Sequence, residues 1–212
     1  MYVVWIVGGT VAILIEAGLS PASLGELLAS SQGFGNQLWG DVSALVFAWL
    51  CLRRRGLGWI EFGFRPFDAE RAFRLLATGL MSVLCLVPIL LAVVWLLVPG
   101  FDAKEPYLPE LETAVKAGGQ KGMLAFILMV VGAPLTEEIA CRGFLFTALA
   151  GRGAGRAALL STVLFALAHV QPNAMVNAFL LGLVLCALYW KLGSLWPPVA
   201  MHASVNAFVS FM

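Results

Sequence analysis

Apolar residues run along this chain in long blocks, separated by short polar or charged clusters. A helix that spans the hydrocarbon core of a bilayer needs about 20 mostly apolar residues. Seven stretches approach that length: about Tyr2 to Leu19 (with Glu16 near its end), Leu38 to Leu52, Arg74 to Val98, Gly122 to Ala150, Ala157 to Gln171, Val176 to Lys191 and Pro197 to Met212. A small-residue loop, Ser20 to Gln37, separates the first two, and Arg53, Arg54 and Arg55 stop the second. A charged amphipathic linker (Trp59 to Arg71) leads into the third. The linker 99–121 carries Asp102, Lys104, Glu105, Glu110, Glu112, Lys116 and Lys121, and a tight basic turn from Gly151 to Arg156 joins the fourth to the fifth. The pattern predicts an all-α fold, a polytopic membrane helix bundle of about seven transmembrane helices. Residues 1–58 supply N-terminal helices and a basic loop, and residues 59–212 a helical core, in one integrated membrane domain.

Lys and Arg in short loops mark the cytoplasmic side. The Arg53–Arg55 cluster and the turn with Arg152 and Arg156 are separated by two helices, so both fall on that side. The N-terminus is then inside and the C-terminus outside.

Composition agrees. Apolar residues make up 61% of the chain and charged residues 12%, against about 25% charged in an ordinary soluble domain. Mean hydropathy is +0.92. A soluble protein of this length could not bury so much apolar surface, whereas a bilayer makes the outside of the bundle apolar as well. The net charge of +1 points to no nucleic-acid partner. Cys51, Cys85, Cys141 and Cys186 are scattered without a CxxC pair and read as small buried hydrophobes. The first nineteen residues lack a basic leading segment and read as a retained helix rather than a cleaved signal peptide.

The fourth helix breaks the apolar pattern at Leu135-Thr136-Glu137-Glu138-Ile139-Ala140-Cys141-Arg142-Gly143. Each charge at the centre of a membrane helix costs about 2.5–3.5 kcal/mol on insertion scales, so such residues face a bundle interior or a wet cavity. Glu138 and Arg142 are four apart and can pair on one face. Glu137 is turned about 100° away and stays clear of that pair. Taken alone, the segment also suits a structural ion pair. The chain's two histidines shift the balance, because His169 and His202 both lie in late apolar helices. His202 shares a face with Asn206. Glu137 lies 16 residues before Gly153 and His169 16 after it, about 24 Å along each helix of a hairpin, so the two should face each other. His202 is 9 residues from Gly193, roughly 14 Å. Helix tilt or an unwound start at Pro197-Pro198 has to close that gap. Pro134 should kink the fourth helix just before the acidic pair, as happens where a cavity is lined.

Glu137-Glu138-x-x-x-Arg142, Phe165-x-x-x-His169 and His202-x-x-x-Asn206 resemble, in order, the three motifs of the CPBP family of intramembrane proteases. That family contains the CAAX prenyl endopeptidases and the bacterial Abi or bacteriocin-processing proteins. Phe62-Gly63-Phe64-Arg65-Pro66 is also similar to the start of the family's core, and the resemblance spans roughly residues 60–212. It implies a glutamate-type endopeptidase in which Glu137, helped by His169, is the general base for a water. His202 and Asn206 would stabilise the oxyanion, Glu138 oriented by Arg142 would act in support, and Phe165 would contact substrate. No serine or cysteine nucleophile has a matching base. Glu137, Glu138, His169 and His202 could also make a zinc site of histidines and carboxylate, but no HExxH pair exists and the resemblance favours a metal-independent glutamate, with no cofactor.

The expected partners are the lipid bilayer and a membrane-associated protein or peptide: a CAAX-like tail, a leader or a C-terminal sorting segment. The expected location is a bacterial cytoplasmic (inner) membrane. Two other classes stay open. One is a non-catalytic scaffold or bacteriocin-immunity protein. The other is a proton-coupled transporter, which also uses intramembrane Glu and His but should show repeated halves with broken helices.

Overall fold

The computed structural model describes residues 33–103 and 109–210. Among them are eight helices: α1 (Gly33–Arg55), α2 (Trp59–Phe62), α3 (Ala69–Leu97), α4 (Pro109–Ala117), α5 (residues 119–150), α6 (Ala154–Leu167), α7 (Pro172–Leu192) and α8 (Trp196–Ser210). No strand occurs among the described residues. The protein is an all-α membrane bundle. Six of the seven expected apolar helices correspond to α1, α3, α5, α6, α7 and α8, while the first, Tyr2 to Leu19, lies outside the described residues. Three helices are long and apolar enough to cross a membrane, at Ala69–Leu97, Gly122–Ala150 and Pro172–Leu192, and α6 is a shorter apolar helix.

The turns between α5, α6, α7 and α8 span only three or four residues, so successive helices run antiparallel as sequence neighbours. α6 packs along α7, α7 along α3, and α8 against α3, α5 and α7. Lipid tails are as apolar as leucine, so helices in a bilayer associate by close van der Waals fit at small residues. Gly79 of α3 fits this rule: a Cβ there would lie 2.8 Å from Val184 of α7 and 3.3 Å from Met201 of α8. Leu84, Leu86, Ile89, Trp95, Leu96 and Leu97 of α3 are exposed and apolar, as a lipid-facing surface is. α1 turns a stripe of Asp41, Ala44, Ala48 and Leu52 inward, spaced for one helical face.

Two helix boundaries differ from those expected. α6 stops at Leu167, four residues before Gln171. His169 lies in the turn that follows, beside Val170 at φ 62°, a costly value for a β-branched residue. The start of α8 is not unwound, because Pro197 and Pro198 sit in its first turn, where backbone N–H groups have no helical partner in any case. The linker 99–121 also carries a helix, α4, which packs on α5 through Ala114, Val115, Ala125, Leu128 and Met129.

α2 and the residues after it form a strap across one end of the bundle. Phe62 stacks on Phe144 at 4.6 Å and Phe64 on Trp196 at 4.9 Å. Leu195 N–H donates to Gly63 O at 2.8 Å, and Ser194 Oγ donates to Arg65 O at 2.7 Å. Gly63 has φ 147° and a Cβ there would touch Leu195, so only glycine fits this crossing. The strap follows directly from Arg53–Arg55 and packs near the end of α5, which brings both basic clusters toward the same end of the bundle. Phe62 also fills the space over Gly143, where a Cβ would lie 2.5 Å from its ring. Gly143→Ala should therefore overpack the strap and cost about 1–3 kcal/mol. Thermal unfolding in detergent should show a lower Tm for this variant and recovery of much of the loss when Phe62→Ala is added.

Candidate active site

The site grows out of the irregular winding of α5. The short α-helical segment Ala133–Glu138 is flanked by π-helical stretches at Leu128–Gly132 and Ile139–Phe146. π-Turns are rare and concentrate at functional sites. Each leaves carbonyl groups that the helix ladder does not serve, and buried carbonyls need donors. Pro134 has no N–H to return to the carbonyl of Met129, five residues earlier. Asn206 of α8 supplies the donor instead, Nδ2 to Met129 O at 2.8 Å. Ser161 Oγ of α6 donates to Cys141 O, and Thr147 Oγ1 donates to Arg142 O, each at 2.9 Å.

Glu138 and Arg142 are fully buried and paired, Nη1 to Oε1, at 2.9 Å. Arg142 Nη2 donates to Gly182 O of α7 at 2.9 Å, and its guanidinium lies 4.8 Å from the Phe165 ring centre. Gly182 permits this approach, since a Cβ there would meet Thr162 at 3.0 Å and Phe165 at 3.1 Å. His202 Nδ1 lies 3.1 Å from Glu138 Oε1. The carboxylate paired with Arg142 accepts, so Nδ1 donates, and this holds the ring by one nitrogen. The other nitrogen, Nε2, stands 3.7 Å from Glu137 Oε2. That separation is too long for a direct hydrogen bond and suits a bridging water. Glu137 retains 21% side-chain exposure, whereas Glu138 has none.

His169 is one ring further out. Its Nδ1 donates to Phe165 O at 2.9 Å, which in the neutral ring leaves Nε2 as an acceptor. Among the described residues it makes no hydrogen bond or ion pair with either glutamate. Phe165 is fully buried and stacks edge-on against His169 at 4.9 Å and His202 at 5.6 Å. Its ring lies among Arg142 and the two histidines. Glu137 has its nearest ring contact with His202, and among the described residues no hydrogen bond or ion pair joins it to His169, which equal distances to the hairpin turn set opposite it. The apparent depth mismatch of His202 assumed that the α5–α6 and α7–α8 turns are level. They are not: the strap sets Leu195 beside Gly63 and Phe62 over Gly143, while α5 runs on to Ala150.

Asp41 and Thr136 are site residues that the sequence reading missed. Thr136 Oγ1 donates to Asp41 Oδ1 at 2.8 Å, in the interior. The signal was an acid inside the apolar stretch 38–52, which membrane insertion costs single out. Among the described residues no three His, Cys, Asp or Glu side chains are grouped as a metal ion needs.

Residues 119–208 match the family model described as type II CAAX prenyl endopeptidase Rce1-like. No curated protein and no solved structure matches the chain. The matched segment holds Glu137, Glu138, Arg142, Phe165, His169, His202 and Asn206 and is shorter than the 60–212 span of the resemblance. Removing Arg142 alone would leave Glu138 buried without its cation, a change that costs about 3–5 kcal/mol. Arg142→Met should lower thermal stability sharply, and the double variant Glu138→Leu with Arg142→Met should recover most of it.

Proposed function

We propose, from the match of residues 119–208 to the Rce1-like family of type II CAAX prenyl endopeptidases, that the chain is a member of that family and a glutamate-type intramembrane endopeptidase. The observation that carries the reading is the division of labour within the acidic pair. Glu138 is fully buried with both Arg142 and His202 on its Oε1, while Glu137 keeps an accessible carboxylate beside His202.

In this reading a water on the accessible side of Glu137 hydrogen-bonds to both Glu137 Oε2 and His202 Nε2, which stand 3.7 Å apart. Glu137 takes one proton from it. The oxygen attacks the carbonyl carbon of the scissile peptide and the carbonyl oxygen becomes an oxyanion. His202, held through Nδ1 by Glu138 and protonated on Nε2, hydrogen-bonds that oxyanion. Asn206 contributes its second amide hydrogen, the first being committed to Met129 O. Glu137 then returns its proton to the amide nitrogen, the C–N bond breaks, and a carboxylic acid and an amine leave, which exchange a proton to become carboxylate and ammonium. His169 assists with proton movement at the substrate through Nε2, with Phe165 holding the ring. Because the acceptor of the acyl group is water itself, no acyl-enzyme forms.

The substrate is a membrane-associated protein or peptide with a CAAX-like tail, a leader or a C-terminal sorting segment, and the bacterial inner membrane is the setting that fits it. General-base catalysis contributes about 10²–10⁴-fold, so Glu137→Gln should lose activity on that scale. The decisive measurement maps the N- and C-termini of membrane and exported proteins in cells expressing wild type or Glu137→Ala at matched levels. Termini present only with the wild type establish proteolysis and identify the substrate. Identical termini in both cells would leave the protease reading without support and put the scaffold in its place.

A further inference from the structure

Asp41 is contributed by α1, outside the segment that the family model matches. It is 4% exposed, and a buried acid in a membrane helix is costly enough to need a reason. Its Oδ1 accepts from Thr136 Oγ1 at 2.8 Å, and Thr136 immediately precedes Glu137. The same hydroxyl lies 3.0 Å from Gly132 O and 3.1 Å from Ala133 O. Its one hydrogen goes to Asp41, so the contact ties α1 to the residue before Glu137, at the junction between the first π-helical stretch and the segment that presents Glu137. Gly132 is shaped around the contact: a Cβ there would lie 2.6 Å from Asp41 Oδ2. α1 meets α5 through this part of the helix and through the π-helical stretch before it. The π-helical stretch Leu128–Gly132 departs from regular α-helical winding just before the segment that presents Glu137, so a contact from α1 at this junction can set where Glu137 stands.

We propose that Asp41 is a positioning residue of the site: through Thr136 it locks α1 onto the irregular part of α5 and so fixes Glu137 against His202. Its effect on cleavage rests on the proposed protease activity, but its effect on geometry does not. The test therefore reads both.

For geometry, Glu137→Cys and His202→Cys are introduced into the full chain with Cys51 and Cys85 changed to serine. Cross-linking by a short bis-methanethiosulfonate is measured by mass spectrometry in native membranes. Asp41→Ala and Thr136→Val should each lower the cross-linking yield severalfold, and combining them should do little more. Asp41→Asn and Thr136→Ser keep the acceptor and the hydroxyl and should restore the yield. For function, the same four substitutions are placed in the otherwise unaltered chain. Asp41→Ala and Thr136→Val should reduce wild-type-dependent cleavage by up to about a hundredfold, the scale of a 1 Å misplacement, and the two conservative variants should retain it. Unchanged cross-linking in both Asp41→Ala and Thr136→Val overturns the proposal whatever the cleavage result. Loss in Asp41→Asn equal to that in Asp41→Ala, with Thr136→Val normal, overturns it too, because charge rather than the hydrogen bond would then matter. A wild type that cleaves nothing removes the protease reading, and the cross-linking result still decides the anchor.

Discussion

The buried ion pair of Glu138 and Arg142 is the constraint around which the other helices are arranged. Two charges one helical turn apart cannot be left facing hydrocarbon, and their mutual attraction repays desolvation only when the remaining hydrogen-bonding capacity is also met. Arg142 meets it with Gly182 O of α7 and the face of Phe165 from α6. Glu138 meets part of it, since Oε1 also takes His202 of α8, while Oε2 has no hydrogen-bond partner among the described residues. Four helices are thus drawn to one point by a single pair. The small residue at 182 follows from this, since α7 must come close enough for its backbone to accept from a guanidinium.

The irregular winding of α5 is the second consequence. A helix with π-stretches on both sides of its acidic pair exposes carbonyls that a regular ladder would have used, and side chains from α6 and α8 answer them. Asn206 therefore has a structural task, holding the carbonyl that Pro134 cannot serve, beside any part it takes in chemistry. The same winding turns Glu137 out of the paired face and toward His202 while leaving one side of it accessible. Two adjacent carboxylates end in different surroundings, one spent on architecture and the other held ready.

The strap from Trp59 to Arg65 controls depth. By docking Gly63 on Leu195 and Phe62 on Gly143, it seats the α7–α8 turn deeper along the bundle than the α5–α6 turn. His202 reaches the carboxylates for that reason, with no unwinding at Pro197-Pro198.

The sequence by itself determined the helical membrane class, the pairing of Glu138 with Arg142 and the polar residues of α5 and α8 that stand together with that pair. These rest on quantities local to the chain: the run of apolar residues, the four-residue spacing that puts two side chains on one face, and the cost of a charge in lipid. Tertiary structure decided which histidine meets Glu137, how Phe165 is enclosed, and that Asp41 of α1 joins the group. Counting residues from each turn yields depth only if the turns are level, and their levels depend on the strap, which crosses between distant segments. The end of α6 at Leu167 was equally out of reach, because hydrophobicity continues through Ala168 while the backbone turns at Val170. Asp41 was legible as an acid in an apolar run, but only the packing of α1 on Thr136 and Gly132 shows what that acid holds.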